Sequence, residues 1–283
     1  MHTSKSRGGV QRVAERIGGM ALALSTLVAS AHAVDPSTTD PAAILNAVSD
    51  SQTPSSSLAR LKMSIKDRTG TRERVLNLRT KRFPDSLKTL MLTEAPADVR
   101  NTGFLTISYK DTSRADEQWV YLPKLHRVTR IANSGKADPV MGSDFSLSDL
   151  SLANQDPNDL ELKIIDAAAK VGDEACWVIE AVPRKEATKR EYGYAKTQTF
   201  VSKKKLAVLQ FKGWLLDGKR IKYFKASDLR SVDGVWTAQR LTMRTLEGST
   251  MLSETLIEYL SVSNNSSEVG SSDFTQQRLE QGV

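Results

Sequence analysis

The feature that most narrows what this chain can fold into is a change of hydrophobic period. Past residue 59, apolar residues recur at every second position. Leu61, Met63 and Ile65 alternate with Arg60, Lys62, Ser64 and Lys66, and Leu105, Ile107 and Tyr109 alternate with Thr106, Ser108 and Lys110. The same rhythm returns at Leu160, Leu162 and Ile164 and again at Leu241 and Met243. Successive side chains of a strand point to opposite faces, so each run has one dry and one wet face, as in an antiparallel sheet. Thr69-Gly70, Asp217-Gly218, Asp233-Gly234 and Glu247-Gly248 separate such runs, and Asp-Gly pairs favour tight hairpins. The pattern predicts about ten strands in one long meandering sheet.

Helical signals are few. Asp40 is placed to cap a helix over 40–49, Pro41 sits where its missing N–H costs nothing, and Ile44, Leu45 and Val48 form an apolar stripe. A break in the strand rhythm over 133–154 contains Ser146-Leu-Ser-Asp149, a capping-box-like start to a short helix over 146–152 carrying Leu147 and Leu150. The charged stretch 183–194 reads as a helix or an exposed loop. Phe274 and Leu279 look like a last docking segment after a Ser/Asn-rich tail. A long sheet with one apolar face needs a cover, and the 40–49 and 146–152 helices are the candidates. Loosely fitted covers leave an apolar cleft; tightly fitted ones make an ordinary core. Periodicity alone does not choose between them.

Residues 1–33 read as a secretory signal peptide. Lys5, Arg7, Arg12 and Arg16 make a positive start, 17–29 is a short apolar stretch, and Ala31-His32-Ala33 offers a small-x-small cleavage site. Cleavage after Ala33 removes four basic residues and one acidic residue, lowering the formal charge from +7 to +4. It leaves 34–283 as one exported, periplasmic domain, and nucleic acid is not an expected partner there. With 26% charged and 39% apolar residues, the composition is that of a folded globular chain, which sets aside collagenous and disordered readings.

The scarce residues exclude more. One cysteine, Cys176, rules out an internal disulfide, a CxxC redox pair and a thiolate zinc cluster. His126 is the one histidine after residue 33, which leaves no multi-histidine metal site and a single base for any Ser or Cys nucleophile. It reads as an exposed strand residue, and Cys176, in Ala-Cys-Trp-Val-Ile, as a buried inert thiol. No phosphate-cradling glycine loop occurs, which leaves nucleotide cofactors without a cradle. With a lone histidine and no GxSxG elbow, neither a cofactor nor an enzymatic activity is expected. The sequence leaves open a pair of distant Asp and Glu meeting in the fold but singles none out. The basic stretch 60–82 is a solvated sheet face or a docking surface for an acidic partner.

Three blocks then carry a resemblance: Ala95-Pro-Ala-Asp-Val-Arg-Asn-Thr-Gly-Phe-Leu105, Gln118-Trp-Val-Tyr-Leu-Pro-Lys-Leu-His-Arg-Val-Thr-Arg-Ile131, and Met141-Gly-Ser-Asp-Phe-Ser-Leu-Ser-Asp-Leu150. Asp233-Gly-Val-Trp236, Met243 and Phe274 to Leu279 follow in order. The chain resembles the outer-membrane lipoprotein-sorting-protein-like family, exported relatives of the LolA/LolB carriers, across most of 40–280. The resemblance implies a mainly β (α+β) fold: an unclosed antiparallel β-barrel around a hydrophobic cavity with a helical lid. It implies a periplasmic carrier of lipid or acylated cargo, often associated with an RND-type transporter, and it matches this broader family better than the lipoprotein carrier itself. The alternative is a non-carrier envelope adaptor that docks on a transporter by its basic sheet face. Under the carrier reading the expected cavity wall is Leu61, Met63, Ile65, Leu105, Ile107, Trp119, Tyr121, Leu160, Leu162 and Trp177. The expected lid is Ile44, Leu45, Val48, Phe145, Leu147 and Leu150. Gly142 and Asp144 are expected to shape the turn before the lid helix.

Overall fold

A computed structural model describes residues 34–111, 113–150 and 156–283; the expected signal peptide lies outside them. Asp40 accepts hydrogen bonds from the backbone N–H groups of Ala42 (2.9 Å) and Ala43 (3.2 Å), and Pro41 opens helix α1, Pro41–Gln52. Thr53 is extended because Pro54 follows it, and the helix stops there. The helix buries Ile44, Ala47 and Val48.

Six strands follow: β1 (Ser56–Asp67), β2 (Gly70–Arg82), β3 (Ser86–Ala95), β4 (Gly103–Tyr109), β5 (Glu117–Leu122) and β6 (Arg127–Arg130). A cover segment carries the short helix α2, Leu147–Leu150. Strands β7 (Leu160–Val171) and β8 (Glu174–Pro183) come next, then helix α3 (Glu186–Tyr192). The chain continues through β9 (Tyr194–Ser202), β10 (Val208–Leu215), β11 (Arg220–Val232), β12 (Val235–Glu247) and β13 (Thr250–Asn264), and ends in helix α4 (Gln276–Gln281). The thirteen strands form one antiparallel sheet in the order β6-β5-β4-β3-β2-β1-β13-β12-β11-β10-β9-β8-β7, so it is unclosed, with β6 and β7 as its edges.

The turn chemistry follows the sequence. Val232 pairs with Val235 across Asp233 and Gly234, both at positive φ (50° and 83°), the two-residue geometry that matches strand twist. Gly193, at φ 80°, closes α3 in the left-handed conformation, so the middle of the 183–194 stretch, Glu186–Tyr192, is a helix, with Pro183 and Tyr194 in the flanking strands. His126 is a correction: it lies outside any strand, exposed, at φ 46° after a 3-10 turn over Pro123–Leu125. Pro123 fixes the turn's entry, and histidine is among the residues enriched in left-handed geometry. Cys176 is fully buried, and burial pushes its thiol pKa up.

Three apolar clusters hold the sheet. The first lies on the inner face around Leu61, Met63, Ile65, Leu76, Met243 and Ile257, closed by Val140, Phe145 and Leu147 of the cover segment. A second is on the outer face of β3 to β5, where Leu90, Leu92, Leu105 and Tyr121 meet Val269, Phe274 and Leu279 of the C-terminal segment. In the third, Trp177, Ile179 and Val201 pack under Ile44 and Val48 of α1.

Candidate functional site

The inner face is not filled. A cavity of about 390 Å³ is lined by Leu61 and Met63 of β1, Leu76 and Leu78 of β2, Phe224 of β11, Met243 of β12 and Ile257 of β13, among others. Val48 of α1 and Phe145 and Leu147 of the cover segment close it. A second cavity of about 370 Å³ takes in Leu45, Arg82, Lys110 and Leu160. Val48, Thr53, Leu87, Ser108, Val208 and Phe211 line both, so the two spaces adjoin beneath α1. Strands β1 to β4 and β10 to β13 contribute to one wall, which requires the sheet to curl around the space.

Two buried carboxylates fasten the cover segment to the sheet. Asp144 is 4% exposed. Its Oδ1 accepts from the hydroxyls of Thr245 (2.5 Å) and Ser253, and its Oδ2 from Thr255 (2.7 Å); its own backbone N–H donates to Thr255 Oγ1 at 2.9 Å. A carboxylate with several short donors is well satisfied despite burial. Asp149, on α2, accepts from Tyr194 Oη (2.5 Å) with one oxygen, and from Lys222 Nζ (3.0 Å) and the Ser146 N–H (2.9 Å) with the other. Ser146 Oγ in turn accepts the Asp149 N–H at 3.1 Å, completing the reciprocal capping box read in the sequence. Burial, then the neighbouring carboxylate, holds the Tyr194 phenol pKa well above its usual range, so its hydroxyl stays the donor. Ser148 adds a bond to the Tyr192 carbonyl at 3.1 Å.

The expected wall divides. Leu61 and Met63 line the first cavity and Leu160 the second. Ile65 is on the inner face but buried in the first cluster, away from the free volume. Leu162 and Trp177 pack in the third cluster and line neither cavity. Leu105, Ile107, Trp119 and Tyr121 must be reassigned. Thr106 and Ser108 line the cavity, so by alternation Leu105 and Ile107 point outward, and Trp119 and Tyr121, paired with Leu105 and Gly103, point the same way. The C-terminal segment covers Leu105, Trp119 and Tyr121 there. Of the expected lid, Val48, Phe145 and Leu147 line the first cavity, Leu45 the second, and Ile44 packs against Trp177. Leu150 belongs to α2, and its side chain lies outside what the structure describes.

The basic stretch is largely compensated internally. Arg60 pairs with Glu94 (2.7 Å), Lys62 with Glu73 (2.7 Å), Arg72 with Asp67 (2.6 Å), Arg79 with Asp273 (3.8 Å) and Arg82 with Asp50 (3.7 Å). Sequence reasoning gave Asp149 only a capping-box role and Asp144 only a turn role, and it did not find Lys222 and Tyr194. The Ser146-to-Asp149 spacing was the one local signal for this fastening. Among the described residues there is no group of His, Cys, Asp and Glu suited to a metal, and no helix long and apolar enough to cross a membrane.

A family model described as an uncharacterized protein matches residues 85–281. No curated protein matches the chain. Among solved structures, it is similar to a domain described as an outer membrane lipoprotein-sorting protein from Vibrio parahaemolyticus: 25% identity over 80% of this chain and 91% of that one, TM-score 0.69. It is also similar to a DUF1329-family protein from Desulfovibrio piger, at 24% identity over 85% of this chain and 100% of that one, TM-score 0.73. A LolA superfamily protein from Nitrosomonas europaea shares the fold at 14% identity, over 83% of this chain and 97% of that one, with TM-score 0.61.

Proposed function

We propose that the chain, which belongs to the family whose model matches residues 85–281 and shares the fold of the lipoprotein-sorting domain and the LolA superfamily protein, is a periplasmic carrier that holds lipid or acylated cargo in its curled sheet. The observation that carries the reading is the apolar cavity left between the inner sheet face and its two covers. Water disfavours exposed acyl chains by about 0.8 kcal/mol per CH₂, so such a space retains a chain without covalent chemistry. The activity is transfer rather than catalysis. Release follows displacement of a cover or contact with a more apolar receiver, and an RND-type transporter is the proposed partner for that step.

The cargo is expected to survive purification. Protein prepared from the periplasm, extracted into organic solvent and analysed by mass spectrometry, should yield lipid in near-stoichiometric amount. Clean extracts from folded protein would remove the carrier reading.

A filled cavity should carry less. Ala226 lines the space and is 8% exposed. Ala226→Phe is expected to lower co-purifying lipid at least about tenfold, because the new ring takes volume the chain needs, while the melting temperature holds. An unchanged lipid load on a folded variant would place the cargo elsewhere.

A further inference from the structure

Along the inner face of β2 and β4 the side chains change character in the same order. Strand β2 presents Leu76, Leu78, Thr80 and then Arg82; β4 presents Phe104, Thr106 and Ser108, with Lys110 just beyond its end. The middle step is held in register across neighbouring strands. Asn264 pairs with Ser57, Ser57 with Thr80, Thr80 with Thr89, Thr89 with Thr106 and Thr106 with Gln118. A band of hydroxyl and amide side chains therefore crosses β13, β1, β2, β3, β4 and β5 at one level.

This band faces free volume: Ser57, Thr80, Thr89, Thr106 and Ser108 all line the first cavity. Its internal bonding is sparse, with Thr80 Oγ1 and Thr89 Oγ1 3.4 Å apart. Two amide groups in and beside it are buried and unpartnered. Gln52 Nε2 belongs to α1, whose Gln52 lines the same cavity; Gln118 Oε1 ends the row on a residue 3% exposed that lines neither cavity. Unpaired buried polar atoms are costly, and a site meant for hydrocarbon alone gains nothing from them. Gln52 Nε2 and the threonine and serine hydroxyls can donate to a guest's ester oxygens, and the hydroxyls can also accept from a guest O–H at the same level.

Charge sets the guest's direction. Among the described residues, the one charged side chain lining the first cavity is Asp149, already committed to Lys222. A buried anionic head would meet no free cation there and would face a carboxylate. On the other side of the band the second cavity is polar, lined by Arg82 and Lys110 together with Asp50, Asp116 and Asp156, with Arg82 paired to Asp50, so a polar, uncharged head finds its partners there.

We propose that the band is a polar subsite for the ester and hydroxyl oxygens that join an acyl chain to its head, so that the cargo is a glycerol-ester lipid held chain inward and head outward. This rests on the carrier reading above and adds the class of cargo and its orientation. The test is displacement of an apolar dye from delipidated protein at pH 8 by three probes of equal chain length: a monoacylglycerol, the fatty-acid carboxylate and the plain alkane. The monoacylglycerol is expected to bind about tenfold tighter than the other two, the worth of one or two ordinary hydrogen bonds. Thr89→Val combined with Thr106→Val should lose that tenfold preference and leave the carboxylate and alkane within about twofold of wild type. Equal affinity of the three probes for wild type overturns the subsite, as does an equal loss for all three in the double variant. If none displaces the dye from wild type, the carrier reading falls with it. Because the wild-type preference is measured without any substitution, the proposal stays testable even if the double variant does not fold.

Discussion

Asp149→Ala is expected to destabilise the fold by roughly 3–5 kcal/mol, among the largest single-residue effects in this protein. The side chains of Asp149 and Lys222 are 1% and 9% exposed, so solvent does not screen the pair. Removing the carboxylate strands a buried ammonium, leaves the Tyr194 hydroxyl without its acceptor and breaks the capping box of α2. Replacing both partners is a different matter. Asp149→Leu with Lys222→Met exchanges two desolvated charges for apolar contacts and should recover most of the loss, because the charges' attraction is largely offset by the cost of dehydrating them. Urea unfolding reads both results as midpoint shifts at constant slope. A loss below about 1 kcal/mol for Asp149→Ala, the range of an exposed pair, would mean that the pair is not desolvated.

Ending the chain after Ser266 is expected to abolish soluble, cooperatively folding protein. The truncation removes Val269, Phe274 and Leu279, at 1%, 4% and 0% exposure. Each buried side chain of this size is worth roughly 1.5–3 kcal/mol, and their sum reaches the whole stability of many domains. It also uncovers Leu90, Leu92, Leu105 and Tyr121 as one outer apolar patch, a surface prone to self-association. Phe274 stacks edge-on against Phe83 with ring centroids 6.0 Å apart, so Phe274→Ala should by itself cost about 3–5 kcal/mol. Soluble expression and size-exclusion chromatography decide the truncation. A monomeric truncated protein with an unchanged melting temperature would show that the segment is an ornament on the sheet.

The alternation of Leu61, Met63 and Ile65 and that of Leu105 and Ile107 look alike in sequence, yet the first set points into the curled sheet and the second out of it. Period two identifies a dry face; it does not say on which side of the sheet that face lies. The switch occurs at β3, where Leu90, Met91, Leu92 and Thr93 are all buried. A continuous apolar run marks a strand covered on both faces, and Thr89-Leu-Met-Leu-Thr93 is such a run. Reading it that way assigns the wet-looking Thr106 and Ser108 to the cavity. The helix at α1, the tight turns, the capping box and the docking role of Phe274 and Leu279 were legible because each depends on neighbours in sequence. Asp144 was not. Its partners Thr245, Ser253 and Thr255 are about a hundred residues away, and only the folded sheet brings them to one carboxylate.

The strand order has a consequence for how the chain reaches its native state. Every pairing but one joins strands adjacent in sequence; the exception is β1 with β13, the first with the last. The polypeptide is therefore two meanders, β1 to β6 and β7 to β13, each able to zip by local hairpins. Loop-closure entropy defers the contact of greatest sequence separation, which makes the β1/β13 junction the late step. Until that junction forms, Leu61 and Met63 have no Ile257 or Met243 opposite them, and no enclosed cavity exists. During synthesis, the first half must wait with its apolar strand exposed until the last strand arrives.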